Sequence, residues 1–159
     1  MELILREAQE QDVPAVIELI RELADFEGEP HEVEITHEEL LKDGFGAQPA
    51  FQIFIAEKEA EIVGMAFFYE RYSTWKGRSL HLEDLIVRKQ HRNNGVGMAL
   101  YSKVMHYAVE QGIKRVSWEV LDWNTVAIDF YESTGAKILQ GWQVVQMQEK
   151  ALKEFVNNN

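Results

Sequence analysis

The chain contains no cysteine. This excludes disulfides, thiolate metal sites and a cysteine nucleophile together, and it suits a reducing compartment such as the cytoplasm. Proline is scarce, with three in 159 residues, and no low-complexity stretch marks a linker. One domain over residues 1–159 is therefore expected, with only the asparagines at 157–159 disordered. Long apolar runs are missing as well: "IVGMAFFY" falls far short of the roughly 20 residues a membrane helix needs. "MELILREAQEQD" lacks the basic-then-apolar build of a signal peptide, so no membrane partner is expected. Basic side chains number 16 against 27 acidic ones, a formal charge of −11. That sign disfavours a nucleic-acid partner and suits a cationic one, although an acidic surface also serves solubility alone.

What is present is a regular alternation of periods. "ELILREA" alternates as a strand, and "QDVPAVIELIRELADF" carries an apolar helical stripe (Val16, Ile17, Leu19, Ile20, Leu23) with Asp12 as candidate cap and Pro14 in the first turn. "EGEPHEVEI" is an acidic loop. Thr36 and Glu39 form a capping box for a short helix ending near Gly44. "AFQIFIAEKEAEIVGMAFFYERYS" is a hairpin joined at "EKEAE", and "RSLHLEDLIVRKQ" is a further strand whose alternation slips at Glu83-Asp84, which predicts a bulge. A helix from Gly95 to Gly112, a strand "RVSWEVL", a helix "NTVAIDFYESTG" capped by Asn124 and a closing strand "WQVVQMQ" complete the pattern. The order implies an α/β fold, a mixed sheet with helices on both faces.

A strand, a glycine-bearing turn and a helix start make the general device for holding an anion, because unpaired amides and the positive helix end face the charge. In "HRNNGVGMAL" the Gly-Lys-Ser/Thr of a nucleotide loop is absent, since Met98 and Ala99 follow Gly97. A dinucleotide fingerprint would need glycine at Leu100. Arg92-Asn93-Asn94-Gly95-Val96-Gly97 remains, of the form Arg-x-x-Gly-x-Gly, and a structural turn that uses glycine for its backbone freedom looks similar. The five histidines make no ligand spacing, so no metal is expected.

The loop resembles the acyl-CoA pyrophosphate loop of the GNAT family of N-acetyltransferases. "LADFE", "DGFG", "YSTWKGR", "LEDLIV", "HRNNGVG", "VLDWN" and "FYESTGA", in that order and over nearly the whole chain, resemble the spermidine/spermine (diamine) acetyltransferase branch. "YSTWKGR" and "VLDWN" are most similar to its thialysine N-epsilon-acetyltransferase members. The resemblance implies a single-domain GNAT fold with a mostly antiparallel sheet, acetyl-CoA as co-substrate, a small cationic amine as partner and a homodimer in which the C-terminal strand and tail take part.

It also implies roles residue by residue. Glu83 is the candidate base for the amine, and the competing reading makes Glu83 and Asp84 a solvated pair. Asp84 is an auxiliary charge, on the opposite face from Glu83 unless a bulge intervenes. Tyr131 is the candidate acid for the leaving thiol. Leu85, Ile86 and Val87 offer main-chain groups to the pantetheine arm and the thioester oxygen. Asn93, Asn94, Gly95, Val96, Gly97 and Met98 bind pyrophosphate by their amides, with Arg92 adding charge. Asn124, Thr125, Val126 and Ala127 form a second CoA-contacting stretch that is also an ordinary helix cap.

Phe26, Glu27, Glu83, Asp84 and Trp142 are the candidate amine contacts. For Phe26 a helix-end core role competes, and for Glu27 a solvated loop carboxylate. Trp75 and Trp142 are either pocket walls or core residues. Polyamine-acetylating relatives carry acids where this chain has Ser73 and, before a Gly-Trp pair, Gln140. A thialysine- or lysine-like amine is therefore expected ahead of a spermidine-type polyamine. A non-catalytic acyl-CoA-binding regulator and a protein-lysine acetyltransferase are the competing functions.

Overall fold

Among the described residues, 2–159 of a computed structural model, the order is β1 (Leu3–Glu7), α1 (Val13–Phe26), α2 (His37–Phe45), β2 (Gln52–Lys58), β3 (Glu61–Ser73), β4 (Gly77–Val87), α3 (Val96–Glu110), β5 (Val116–Ser117), α4 (Thr125–Ser133) and α5 (Glu149–Asn157). The strands form one sheet in the order β1-β2-β3-β4-β5, antiparallel except for the parallel β4–β5 pair. The mixed, mostly antiparallel α/β architecture is the one expected. Two compact units divide the chain, one running to Glu119 and the other Val120–Asn159.

In the first unit the two-residue period of the strands sends alternate side chains to opposite helices. Ile53 and Ile55 of β2 join Val13, Val16, Ile17 and Leu19 of α1 and Leu40 of α2 in one core. Phe54, between them, packs against Phe68 and Tyr107 of α3, with ring centroids 4.9 and 5.9 Å away. Each fully buried aliphatic side chain contributes roughly 1.5–3 kcal/mol. The sheet is thus held from both faces. The β2–β3 hairpin turns at Glu59 and Ala60, whose φ values of 54° and 64° match the twist of the flanking strands.

Local capping follows the sequence in one case and departs from it in another. The Glu39 amide donates to Thr36 Oγ1 (3.2 Å), and the Thr36 amide donates to Glu39 Oε2 (2.8 Å), closing the expected box. Asp12 stands at the N-cap of α1, but its carboxylate does not cap that helix. It accepts from the Gln9 amide at 2.7 Å and from Arg6 Nη1 at 2.6 Å, so it ties β1 to the entry of α1.

The C-terminal part departs further. Of the expected strand "RVSWEVL" only Val116 and Ser117 pair, and "WQVVQMQ" joins no ladder. Alternation makes a segment suited to a strand, but only a partner edge makes it one. In the second unit Asn124 Oδ1 accepts from the Ala127 amide (3.3 Å), capping α4 as expected. The unanticipated α5 spaces Leu152, Phe155 and Val156 as a helical stripe, with a Lys153–Glu149 pair at 2.5 Å. Asn157 belongs to α5, and Asn159 Nδ2 donates to Phe155 O at 3.0 Å.

Candidate active site

Where the alternation of β4 slips, the ladder slips too. Phe67 pairs with Asp84 and Phe68 with Leu82, so Glu83 is the extra residue of a bulge. Without it, Glu83 and Asp84 would point to opposite faces. With it, the charges of Glu83 and of Glu27, the residue that caps the end of α1, both bear on Asp84, and Glu83 bears on Glu27. The bulge converts a sequence-adjacent pair into a three-carboxylate cluster with Glu27, and Ile86, two residues on, returns to the α1 core.

The cluster has a definite electrostatic character. Burial, then the charges of Glu83 and Glu27, push the Asp84 carboxyl up to about 7. Partial burial and then Glu83 raise Glu27 as well. Concentrated negative charge that burial makes costly is relieved by a bound cation. Glu83, half exposed, is engaged on one oxygen: Tyr69 Oη donates to Oε2 at 3.1 Å, and His81 Nε2 lies 3.5 Å from the same atom. Phe26 is 45% exposed, which overturns the core reading, and its ring lies 5.5 Å from the Arg92 guanidinium carbon.

The anion loop is built as its sequence suggests. Gly95 has φ +77°, a left-handed conformation that glycine adopts without strain, and Asn93 also has positive φ at 62°. The first bond of α3 runs from the Ala99 amide to Gly95 O at 2.9 Å, so the amides of Gly95 to Met98 precede any helical acceptor. A Cβ on Gly97 would meet only Val87 Cγ2, at 3.7 Å. Packing therefore does not demand glycine there, and the missing side chain leaves the loop backbone open to close approach. Arg92 Nε donates to Val87 O (2.8 Å), which anchors the loop to the end of β4.

Strand β5 pairs with β4 only at Leu80 and His81. Leu85, Ile86 and Val87 thus keep their β3 partners on one side and have no ladder on the other. That open edge, ending at the anion loop, fits an extended ligand arm with its phosphates on the α3 amides. Gly64 opposite Val87 is sterically required: a Cβ there would stand 2.7 Å from Ile86 O. Among the described residues no group of His, Asp and Glu is placed to hold a metal, and no helix is long and apolar enough to cross a membrane.

The first unit therefore gathers Phe26, Glu27, Glu83, Asp84, Leu85 to Val87 and Arg92 to Met98. Asn124 to Ala127, Tyr131 and Trp142 belong to the second unit, where Tyr131 lies on α4, its ring 5.4 Å from that of Phe130. Trp75 and Trp142 are 76% and 72% exposed, so neither is a core residue. Ser73 Oγ is engaged, accepting from the Trp75 and Lys76 amides at 3.2 and 3.1 Å and from Arg115 Nη1 at 3.3 Å. Sequence reasoning missed Tyr69 and His81. Tyr69 faces His81 across the β3–β4 ladder, and the i, i+2 spacing of His81 and Glu83 was the only signal.

A bulged strand, an open backbone edge and an amide-rich helix start together make a site suited to an extended anionic ligand. The same fold occurs in an integron cassette protein from the mobile metagenome of V. cholerae, with TM-score 0.80 at 17% identity, covering 98% of each chain. The chain belongs to the acetyltransferase (GNAT) family, whose model matches residues 14–136. It is 36% identical to the thialysine N-epsilon-acetyltransferase of Bos taurus, over 96% of each chain. Its counterpart in Caenorhabditis elegans is 40% identical over 89% of each.

Proposed function

We propose that the chain transfers an acetyl group from acetyl-CoA to a small primary amine of thialysine or lysine type. The observation that carries this reading is the bulge that sets Glu83 and Asp84 with Glu27 beside an open strand edge and its anion loop. A primary alkylammonium titrates near 10.4, so only about one molecule in a thousand is nucleophilic at neutral pH and a proton acceptor is needed. Glu83 accepts that proton through Oε1, while Asp84 and Glu27 attract and orient the cation.

When bound, acetyl-CoA supplies the acetyl thioester. The amides of Asn93 to Met98 and the Arg92 guanidinium hold its phosphates, and Leu85 to Val87 align its arm and polarise the acyl oxygen. Asn124 to Ala127 add contacts, and Tyr131, assigned from the "FYESTG" motif, gives its phenolic proton to the departing thiolate. With no cysteine to carry the acyl group, the amine attacks directly. Ser73, occupied by its own turn, and Gln140 leave a polyamine without two counter-charges, which favours the shorter amine.

The proposed working form is a cytoplasmic homodimer. Its support is the strand-patterned "WQVVQMQ", which has no ladder partner among the described residues and leaves Val144 and Val145 64% and 90% exposed. Light scattering giving a monomer mass at micromolar concentration would overturn it.

The test of activity is acetyl-CoA consumption with thialysine, lysine, putrescine, spermidine and spermine, with product masses confirmed. Saturation by thialysine with little spermine turnover supports the reading. A spermine preference overturns the substrate, a basic peptide outperforming every free amine overturns the small-molecule class, and no turnover with intact acetyl-CoA binding leaves a regulator. Glu83→Gln is expected to lower kcat by roughly 10²–10⁴ while acetyl-CoA still binds.

A further inference from the structure

Among the described residues His81 is one of three buried polar side chains, 8% exposed, in a strand whose other buried residues are mostly apolar. A buried imidazole must satisfy both ring nitrogens or incur a desolvation cost. Its Nδ1 lies 3.0 Å from Arg71 Nη1 and 3.3 Å from Ser117 Oγ. A guanidinium can only donate, so Nδ1 is an acceptor and the ring proton sits on Nε2. Nε2 lies 3.5 Å from Glu83 Oε2, the atom to which Tyr69 Oη donates.

We propose that His81, locked in its Nε2–H form by Arg71, is a positioning residue that with Tyr69 clamps Glu83 by one oxygen and presents Oε1 to the substrate ammonium. The inference rests on Glu83 as the proton acceptor. Among the described residues no hydrogen bond or ion pair falls on Oε1, while both neighbours converge on Oε2. A half-exposed glutamate on a bulge has several rotamers open to it, and two donors on one oxygen select among them. The 3.5 Å separation is long for a hydrogen bond, and contacts of this kind shorten when substrate fills the site.

The groups facing His81 are consistent with this role. Tyr69 stacks beside it with ring centroids 5.3 Å apart, and Arg71 and Tyr69 come from β3, Ser117 from β5 and Glu83 from β4. Glu119 adds a weaker negative influence than Glu83. Burial, reinforced by Arg71, keeps the imidazole neutral against the opposing pull of Glu83 and Glu119. A neutral donor holds the carboxylate without becoming an ion-pair partner that competes with the substrate cation.

The decisive comparison is His81→Gln against His81→Asn. Glutamine places an amide N–H near the position of Nε2, whereas asparagine reaches only that of Nδ1. His81→Asn is expected to lower kcat roughly tenfold to a hundredfold, with the KM for acetyl-CoA and the melting temperature little changed, and His81→Gln to restore kcat to within about threefold. In a Glu83→Gln background His81→Asn is expected to have no further effect on the residual rate, because His81 acts through Glu83. Equal activity of the two His81 variants, or an undiminished effect in the double variant, overturns the proposal. So does a loss in both variants that tracks melting temperature. Should Glu83→Gln retain full activity, it is the assignment of the base that fails, a result distinguishable from the other three.

Discussion

Asp84 offers a test of the carboxylate cluster that needs no substrate. Its carboxyl is held up to about 7 in the folded chain, by burial first and then by Glu83 and Glu27, against an ordinary value of 3.8. Between those values the folded state keeps a proton that the unfolded state releases. Stability therefore falls as pH rises from about 4 to about 7 and stays low above that. At about 1.4 kcal/mol per pH unit, the span corresponds to about 4 kcal/mol at pH 8, an upper figure because the three carboxylates titrate together. Asp84→Asn removes the ionisation and keeps the shape. At pH 8 the variant is expected to be more stable than the parent, by up to roughly 8–16 °C in melting temperature, with the gain gone by about pH 4. The assay is thermal unfolding by circular dichroism from pH 4 to 8, read as the difference between the two proteins. The difference isolates Asp84 from His81, which drifts the other way because its folded form resists protonation and costs stability below about 6.5. Parallel curves, with a constant offset across the range, would refute the argument that Asp84 is buried against two like charges.

Three further outcomes follow from packing and backbone geometry. Gly64→Ala is expected to cost roughly 1–3 kcal/mol in urea unfolding, because its Cβ would press on Ile86 O at 2.7 Å, and an unchanged midpoint would show that β3 and β4 are free to separate there. Gly95→Ala meets no neighbour within 4 Å, so its expected cost of roughly 1–2 kcal/mol comes from φ +77° alone. Calorimetry should also show weaker acetyl-CoA binding in that variant. Asp12→Ala removes one of the two carboxylate partners of Arg6, Glu57 remaining at 2.9 Å, together with the acceptor of the Gln9 amide, and a loss of roughly 1–3 kcal/mol is expected at pH 7. Arg6 holds the Asp12 carboxyl below its ordinary value, so that contribution disappears as pH falls through the acid range, and a deficit undiminished in acid would contradict the pairing.

Much of this protein was legible in one dimension, for physical reasons that differ by segment. The α1 stripe and the Thr36–Glu39 box depend on residues three or four apart, as do the Asn124 cap and the glycines that close α3 and α4. Their energetics are local, and local energetics are written in spacing. The Glu83-Asp84 slip was legible because a bulge breaks a two-residue period. The anion loop could be separated from nucleotide loops because its chemistry lies in contiguous backbone.

Other features required partners that no spacing names. Whether "RVSWEVL" or "WQVVQMQ" became a strand depended on an adjacent edge, and only Val116 and Ser117 found one. The convergence of Glu27 on Glu83 and Asp84, 56 and 57 residues away along the chain, needed α1 to pack on the sheet. The environment of Glu83 was set by Tyr69 across a ladder, and that of His81 by Arg71 on one neighbouring strand and Ser117 on another. The sequence by itself determined which segments could be helix, strand or anion loop, because hydrogen bonding and amphipathic period act over a few residues. Only the tertiary structure decided which carboxylates share a field, which oxygen of Glu83 is left for substrate and which tautomer His81 holds, because Coulomb and hydrogen-bond energies depend on distances in space.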